Sequence, residues 1–284
     1  MNEFRADLHC HTTCSDGSLT PAQIVQLAKE KGLTGLSITD HDTIAAYQTA
    51  PKLCAQAGLQ LLTGVEFSAA MNGVSIHILG YGFDVEAKSV ADLCAWHTNR
   101  RQDRNEAMLK LLAKQGKVIQ YEELAASIPA ESSELKRTIG RPHIALAMVG
   151  KGYAATPQEA FSKYIGEGRP CYVEGANFGV EETINAIHAA KGIAVIAHPH
   201  LIKNSEILQK LLTKEFDGIE CYYGYFPQHK HKRWLKIAQK KSWLITGGSD
   251  YHGTAKPHIP LGCSWIDKTL FQAILDRLAI LPKS

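Results

Sequence analysis

The chain has 284 residues, of which 45% are hydrophobic and 21% are charged. These values exclude a disordered or low-complexity protein and are typical of a globular chain long enough to bury a sizeable core. The formal net charge of +3 is far below that of a dedicated nucleic-acid binder, although it suits an anionic substrate.

The ends and the cysteines predict the cellular setting. The N-terminal segment has no basic stretch before an apolar run, and no later run reaches the roughly 18 apolar residues of a membrane span. We therefore expect a cytoplasmic protein with no membrane association and no obligate protein partner. The seven cysteines lack CxxC pairs, so reduced thiols are expected. Cys10 and Cys14 lie among candidate metal ligands, but Cys10 alternates away from His9 and His11 on a strand, which disfavours a zinc thiolate site.

The first part of the sequence alternates strands with amphipathic helices. Thr20 precedes Pro21 at the start of the first helix, and Gly32 is expected to close it. The predicted strands are 5–11, 33–41, 59–67 and 74–83, and the predicted helices are 19–32 and 43–58. Functional residues at strand ends then favour a barrel.

The pattern changes between residues 87 and 168, where a long charged helix at 97–116 is followed by mostly helical sequence. We interpret 87–168 as an inserted helical subdomain that binds substrate, and 1–86 with 169–284 as one barrel domain. In the second part, the predicted strands are 193–200, 217–223 and 244–252, and the predicted helices are 183–192, 207–216 and 231–242.

Five clusters of His, Asp and Glu stand at or just after predicted strand ends. They are Asp7-Leu-His9-Cys-His11 with Asp16, Thr39-Asp40-His41-Asp42, Glu66 with His77, His198-Pro-His200, and Asp250-Tyr-His252. Because successive side chains of a strand face opposite sides, His9 and His11 point the same way, and the same argument pairs Asp250 with His252. Imidazole and carboxylate groups suit Zn, Mn or Fe, and several can hold two or three cations with Glu66 bridging two of them.

Not every histidine fits this interpretation. A lone His is more often a hydrogen-bonded structural residue than a ligand, and we read His97 and His188 in that way. Of the pair after the predicted strand 193–200, His198 is the favoured ligand and His200 is expected to support the loop. His229, His231 and His258 stand in polar surroundings and are expected at the surface.

These motifs resemble the PHP (polymerase and histidinol phosphatase) family of the amidohydrolase superfamily over nearly the whole chain. The matching motifs are DLHCHTTCSDG, ITDHDT, GVEFS with HILGY, and AHPH with GSDYH. The resemblance implies an α/β fold with a distorted seven-stranded (β/α) barrel and an inserted helical subdomain, and a site for two or three metal ions, with Mn favoured and Zn or Fe as alternatives.

The resemblance also implies how the ligands are divided among the metals. By analogy, His9, His11, Glu66 and Asp250 hold one ion, and Glu66 with His77 and His198 holds a second. Asp16, His41 and His252 hold a third, or contact the phosphate and transfer protons instead.

Paired metals would produce a hydroxide nucleophile and neutralise phosphoryl charge. Asp250 or a neighbouring His is predicted to orient that nucleophile, and His252 or His41 to protonate the departing alkoxide. In an alternative the metals provide all of the charge stabilisation. Asp16 and His252 also count as candidate contacts to the substrate.

The predicted insertion carries arginines that match phosphate geometry. Arg100, Arg104 and Arg141, with His143 in the sequence Gly-Arg-Pro-His, are the predicted substrate-binding residues, while Arg101, Arg137, Lys163 and Arg169 are further candidates. The alternative for any one arginine is a solvated helix face with i,i+4 pairing.

Several functions remain open from the sequence. The insertion resembles the branch of 3′,5′-nucleoside bisphosphate phosphatases, which implies removal of the 3′-phosphate from a nucleotide. The alternatives are a 5′ to 3′ exoribonuclease acting on short RNA, a histidinol-phosphatase-like phosphomonoesterase, a C–N hydrolase, and a non-catalytic metal-binding module. The retention of every motif ligand disfavours the last of these.

Overall fold

The strands of the protein form two sheets in the computed structural model, which describes residues 3–126, 138–174, 178–224 and 226–281. The strands are β1 (Ala6–Cys10), β2 (Gly35–Ile38), β3 (Gln60–Leu61), β4 (Gly64–Met71), β5 (Val74–Tyr81), β6 (Ile193–Ile196), β7 (Gly218–Tyr223) and β8 (Leu244–Gly248). One predicted strand, 59–67, is divided into β3 and β4. The reason is that β3 pairs with β2 whereas β4 pairs with β5, so the chain passes from one sheet to the other between them.

The two sheets meet at the ends that carry the candidate ligands. The first has the order β1-β2-β3 and is parallel, and the second has the order β4-β5-β6-β7-β8. In the second sheet β5 is antiparallel to both neighbours, while β6, β7 and β8 are parallel. Isolated bridges join Cys10 to Tyr251 and His41 to Glu66, from one sheet to the other. The predicted α/β class is confirmed, and closure into a seven-stranded barrel stays a prediction.

Helices follow most of the predicted positions. They are α1 (Pro21–Glu30), α2 (Ala50–Ala57), α3 (Lys88–Lys114), α4 (Tyr121–Ala126), α5 (Arg141–Gly150), α6 (Pro157–Ala160) with a π-helical turn at Phe161–Ile165, α7 (Val180–Ala189), α8 (Ser205–Leu211), α9 (Gln228–Lys241) and α10 (Lys268–Ala279). Thr20 caps α1 as predicted, in a reciprocal capping box with Gln23. The predicted helix 43–58 is interrupted: Ala45–Gln48 forms a short 3-10 turn, and α2 begins at Ala50 with Pro51 in its first turn. Among the helices of the described ranges, none combines the length and apolar character needed to cross a membrane.

Helix α3 connects two hydrophobic clusters. Near its start, Val90 and Leu93 pack in the cluster that covers the second sheet. Near its end, Met108 and Leu112 belong to a separate cluster built with α4, α5 and the π-helical turn. The helices between residues 88 and 165 therefore bury an apolar centre of their own beside the sheets. The boundaries 87 and 168 stay a prediction, and Arg137 lies outside the described residues.

Asp217 ties four elements together on the side of the sheet away from the candidate ligands. Its carboxylate accepts from the Ala194 backbone N–H at 2.9 Å, from His188 Nε2 at 2.7 Å and from Arg277 at 3.1 Å. His188 is thus a hydrogen-bonded structural residue, as predicted. Burial raises the pKa of Asp217, but these donors outweigh it and hold that pKa below its usual value.

Replacing Asp217 by Asn is expected to lower the free energy of unfolding at pH 7 by about 1–2 kcal/mol, because charge-assisted hydrogen bonds are lost. A depressed carboxyl pKa stabilises the fold above the unfolded pKa of about 4, and this contribution disappears as the pH falls through the folded pKa. The difference between wild type and variant should therefore shrink below about pH 4. Urea unfolding between neutral and acidic pH measures it, with the exposed Asp276→Asn on α10 as control. An equal difference at every pH would contradict the assignment.

Candidate metal centre

Glu66 on β4 lies at the centre of the candidate site and is 1% exposed. Its Oε2 atom is 3.2 Å from His9 Nε2, 3.1 Å from His11 Nε2 and 3.3 Å from His41 Nδ1. Its other oxygen, Oε1, is 2.9 Å from His77 Nδ1 and 2.8 Å from His198 Nε2. Each oxygen of this one carboxylate thus faces a different set of imidazoles, which is the arrangement expected of a bridging ligand.

The inward-facing atoms are buried without aligned hydrogen bonds. Glu66 Oε2, His9 Nε2, His11 Nε2 and His41 Nδ1 all lack a partner of acceptable geometry, although each nitrogen is 3.1 to 3.3 Å from Glu66 Oε2. Buried polar groups are normally paired, so a set of orphaned atoms at such short separations calls for a shared partner. Lone pairs that converge on a common point instead of on one another fit divalent cations, and the N and O donors suit Mn, Zn or Fe.

The possible ligand atoms form overlapping groups in which all members lie within 4.8 Å of one another. The groups are His9, His11, Glu66 and Asp250; His41, Glu66 and His77; and His11, Asp16, His41 and His252. His198 adjoins the second group, because its Nε2 is 3.3 Å from His77 Nδ1. The structure therefore brings all nine predicted ligands together, with His11, His41 and Glu66 each shared between two groups.

The backbone directs these side chains in two ways. His9 and His11 lie at alternate positions along and just after β1, as the strand period requires. His198 and Asp250 follow β6 and β8 and have positive φ angles of 27° and 58°. Because β8 ends at Gly248, strand alternation does not pair Asp250 with His252. Instead, His252 Nδ1 hydrogen-bonds to the Asp250 carbonyl at 2.9 Å, and its Nε2 faces Asp16 at 3.4 Å.

Glu220 on β7 is a part of the centre that the sequence analysis did not identify. It is fully buried, its Oε1 is 2.9 Å from His9 Nδ1, and its Oε2 accepts from the His198 backbone N–H at 2.7 Å. A carboxylate on Nδ1 fixes the tautomer with its proton there and leaves Nε2 free to bind a metal. The available signal was a charged residue inside an otherwise apolar strand, GIECYY.

Glu220→Gln is expected to weaken metal binding by about 10- to 100-fold, because an amide supports the His9 tautomer less well than a carboxylate. Titration of the chelated protein with Mn, followed by calorimetry, measures the change. Glu206→Gln, at an exposed position on α8, is the matched control. Unchanged Mn affinity in Glu220→Gln would mean that Glu220 only supports the loop at His198.

Two aspartates of the ITDHDT motif hold the backbone around the ligands. Asp40 accepts from Thr12 N–H at 2.7 Å and from the Ser15 hydroxyl at 2.6 Å, so it fixes the loop between His11 and Asp16. Asp42 accepts from Ser68 N–H at 2.7 Å and from Arg101 Nε at 2.7 Å. Arg101 therefore ties α3 to the sheet beside His41 and does not point a free guanidinium at substrate.

Asp250 has two further partners in the cleft. Tyr223 OH donates to its Oδ2 at 2.8 Å, and Lys256 Nζ donates to the same oxygen at 2.6 Å. Burial lowers the pKa of Lys256, but the charge of Asp250 outweighs it and raises that pKa above its ordinary value. The other oxygen, Oδ1, faces His9 and His11. Lys256 was also missed in the sequence, where nothing distinguishes it from a surface lysine.

Burial determines the charge of two predicted proton donors. Burial first, and the neighbouring His11 with it, lowers the pKa of His41 to about 3 and that of His252 to about 4. The negative charges of Glu66 and Asp16 raise the pKa of His41, and those of Asp16 and Asp250 raise the pKa of His252, but burial outweighs them. Both imidazoles are therefore neutral at pH 7, a state that suits metal ligation.

The remaining histidines separate into packed and exposed groups. His97 is fully buried against Phe67 and lies 3.6 Å from Asp42, which agrees with a structural role. His200 stacks on Tyr223 and does not join the ligand groups of the described residues. The expectation that His231 lies at the surface is wrong: it is 7% exposed because it occupies the inner face of α9. His229 and His258 are exposed, as predicted.

A cleft of about 1010 Å³ extends from the centre toward α5, α6 and the π-helical turn. Its polar lining includes Asp16, His143, His252 and Lys256, and its apolar lining includes Phe161. His143 has limited freedom there, since its Nδ1 accepts from Gly140 N–H at 3.0 Å and caps α5. A second cavity of about 350 Å³ lies on the other side, beside His77 and His198.

The predicted substrate arginines form a cluster near Asp42, and none of them lines the two cavities. Arg100 lies over the Trp96 ring at 5.5 Å, and Arg141 lies over the Tyr172 ring at 5.4 Å. Arg104 is half-buried beside them. Of the further candidates, Lys163 pairs with Glu159 at 2.6 Å, whereas Arg169 is exposed at the cleft.

Comparison with known proteins decides the family. A model of the PHP domain matches residues 7–221, from within β1 to within β7, and this range holds most of the candidate ligands. The chain belongs to the PHP domain family. This membership places it among metal-dependent phosphoesterases, and it confirms the resemblance on which the sequence analysis relied.

Relatives of this PHP domain carry more specific names. A 5′-3′ exoribonuclease of Haemophilus influenzae is 32% identical, and the match covers 92% of each chain. A 3′,5′-nucleoside bisphosphate phosphatase of Chromobacterium violaceum is 28% identical, with 87% of this chain and 86% of that protein covered. A solved structure from Bifidobacterium adolescentis, assigned as a metal-dependent phosphoesterase, superposes with a TM-score of 0.86 at 33% identity and covers 96% of each chain.

Proposed function

We propose that this PHP domain hydrolyses the phosphoester at the 3′ oxygen of a nucleotide that also carries a 5′-phosphate. Its first substrate is a 3′,5′-bisphosphonucleoside, which yields a nucleoside 5′-monophosphate and phosphate. The observation that supports this proposal is a half-buried arginine cluster beside the His41 loop of the metal centre. Two anion-binding regions suit a substrate with two phosphates.

Arg104 gives the clearest sign that the cluster binds an anion. Its Nε atom is buried without a partner and its Nη2 donates to Asn105 Oδ1 at 3.4 Å, while among the described residues no carboxylate lies within ion-pair distance of its guanidinium. Burial first, and then repulsion from Arg101 and Arg141, lowers the pKa of Arg104 to about 9. A phosphate would supply the missing negative charge and accept in the planar geometry that a guanidinium offers.

We assign the metal ligands as the nine residues gathered at Glu66: His9, His11, Asp16, His41, Glu66, His77, His198, Asp250 and His252. Two or three divalent cations, with Mn proposed and Zn or Fe as alternatives, would lower the pKa of bound water and neutralise phosphoryl charge. The protein fixes this site through Glu220, Asp40 and Asp42, which hold ligands or their loops in place.

The chain's own groups then share the remaining tasks. Asp250 is positioned by Tyr223 and Lys256 and can orient the attacking water through Oδ1. His252 and His41 are neutral at pH 7, so we assign them to ligation and to accepting a proton in place of donating one. Lys256 is the protonated group on the same cleft, and its charge can stabilise the departing 3′ oxygen.

A second candidate, 5′ to 3′ exoribonuclease activity, breaks the same bond. Removal of a 5′-terminal nucleotide from RNA also cleaves between the 3′ oxygen and phosphorus, with a longer chain attached to the phosphate. The space on both sides of the centre favours it, since the cleft of about 1010 Å³ and the cavity of about 350 Å³ share Glu167 in their linings. A single nucleotide does not require both.

The test compares adenosine 3′,5′-bisphosphate, adenosine 3′-monophosphate, histidinol phosphate and a short 5′-phosphorylated RNA in the presence of Mn. Turnover of the bisphosphate well above the 3′-monophosphate supports the proposal. Arg104→Met should then lower kcat/KM for the bisphosphate by roughly 10- to 100-fold and leave the 3′-monophosphate rate unchanged. Preference for histidinol phosphate, or equal effects of Arg104→Met on both nucleotides, would overturn it.

A further inference from the structure

Helix α9 presents a continuous basic stripe to solvent. Its members stand at positions i, i+3, i+4, i+7 and i+11 and are all exposed: His229, Lys232, Arg233, Lys236 and Lys240. At 100° per residue this spacing places them on one face, opposite the buried Trp234 and Ala238. The stripe is about 16 Å long at 1.5 Å per residue.

The positive charge of the protein is concentrated in this helix. The whole chain has 31 Lys and Arg residues against 28 Asp and Glu. Helix α9 holds six of those cations and no carboxylate, so the rest of the sequence has 25 cations against 28 carboxylates. A protein that is otherwise slightly acidic therefore carries one strongly basic face.

The stripe lacks the pairing that usually accompanies a solvated charged helix. Elsewhere, Lys88 pairs with Asp92 and Lys163 with Glu159, each at i,i+4. Over the ranges that the structure describes, no salt bridge involves a residue of the stripe. Lys232, Lys236 and Lys240 instead repel one another at i,i+4, and cations near the helix start oppose the macrodipole. A bound polyanion would relieve both effects.

The stripe begins beside the metal centre. Strand β7 ends at Tyr223, whose hydroxyl donates to Asp250, and α9 starts five residues later. Phe226, between them, packs on Tyr223 at 5.6 Å. On the inner face of α9, His231 contacts His200, which is two residues from His198. Because β6, β7 and β8 are parallel, α9 starts at the same edge of the sheet at which His198 and Asp250 follow their strands, so a chain held at the centre would extend toward the stripe.

We propose that the basic stripe of α9 binds the phosphodiester backbone of a single-stranded RNA whose 5′ end occupies the metal centre. This rests on the proposed function and assigns it an oligonucleotide as the larger substrate. Lysine and arginine side chains on a helix face contact phosphates without reading bases, so the interaction is independent of sequence and weakened by salt. The bisphosphonucleoside is too short to reach the stripe and does not use it.

The experiment compares wild type with the variant Lys232→Gln, Arg233→Gln, Lys236→Gln, Lys240→Gln, which keeps good helix formers at every position. The control removes four exposed lysines elsewhere: Lys29→Gln, Lys31→Gln, Lys52→Gln, Lys268→Gln. The probe is a 5′-phosphorylated, phosphorothioate-linked RNA of about 12 nucleotides, a length within the range that single-strand binding surfaces cover. Fluorescence anisotropy gives Kd as a function of salt, and hydrolysis of adenosine 3′,5′-bisphosphate is followed in parallel.

Loss of four phosphate contacts should reduce the slope of log Kd against log salt by about 3, at roughly 0.7 per contact, and weaken binding severalfold or more at low salt. The control should bind RNA as wild type does, and bisphosphate turnover should stay within about twofold in both variants. An unchanged slope, or an equal loss in the control, overturns the proposal. The proposal is also overturned if the variant still binds RNA but no longer binds vesicles of phosphatidylcholine and phosphatidylglycerol, because the stripe would then bind a membrane surface.

The two proposals fail separately. RNA binding that depends on the stripe, in a protein that hydrolyses neither the bisphosphate nor unmodified RNA, removes the proposed function and leaves the binding surface. Hydrolysis of the bisphosphate with RNA binding that ignores the stripe removes the surface and leaves the phosphatase.

Discussion

Replacing Glu66 by Gln is expected to lower kcat for the preferred phosphoester by at least roughly 100- to 1,000-fold, the range found when one preorganised electrostatic group is removed from an active site. Both oxygens of Glu66 face imidazoles, so the amide loses charge for every proposed ion at once. The amide nitrogen would also turn a donor toward the proposed ion positions.

Two readouts check this result. Steady-state kinetics with Mn measures turnover, and elemental analysis after dialysis measures how much metal the variant retains. Glu86→Gln, at an exposed position after β5, is the matched control. Wild-type turnover in a Glu66→Gln variant that folds normally would show that Glu66 is not a bridging ligand.

Asp42→Asn is expected to lower the free energy of unfolding by about 3–5 kcal/mol, because it leaves the buried Arg101 guanidinium without a counter-charge. Arg101 and Asp42 side chains are 11% and 0% exposed, so solvent compensates little. Asparagine is the suitable replacement, since Asp42 has a φ of 56° and Asn tolerates that conformation better than Ala.

A double-mutant cycle isolates the pair. Arg101→Met and Asp42→Asn should each destabilise the protein, and the double variant should lose less than the sum of the two by about 0.5–3 kcal/mol. Chemical denaturation of the four proteins gives the free energies. Strictly additive losses would mean that each residue acts through other contacts, such as those of Asp42 with Ser68.

Local signals in the sequence were sufficient for most of the fold. Thr20 before Pro21 and Gly32 at the other end placed α1, and the capping box of Thr20 with Gln23 is what the structure adds. The strand 59–67 was predicted as one element, because its apolar residues continue through Leu62. Its division depends on β3 and β4 pairing with different sheets, and partner choice is a long-range property.

The candidate ligands were also accessible from the sequence. Residue type and spacing alone predict the metal site, because His-x-His stands at the end of β1 and aspartates and histidines follow other strands. His231 was misplaced because a histidine between lysines reads as polar, while the inner face of α9 is set by Trp234 and Ala238. Exposed His229 and buried His231 are only two residues apart, because about half a turn of helix separates opposite faces.

By itself the sequence determined the chemistry of this protein: the imidazoles and carboxylates that suit divalent cations, the α/β alternation and the family motifs. Only the tertiary structure decided which side chains meet. Glu220 is 211 residues from His9, and Lys256 reaches Asp250 across a loop. Such contacts depend on how strands pair and where the backbone turns, and no local pattern encodes them. The basic face of α9 differs from these contacts, since its cations lie in one contiguous segment and helical spacing alone places them together.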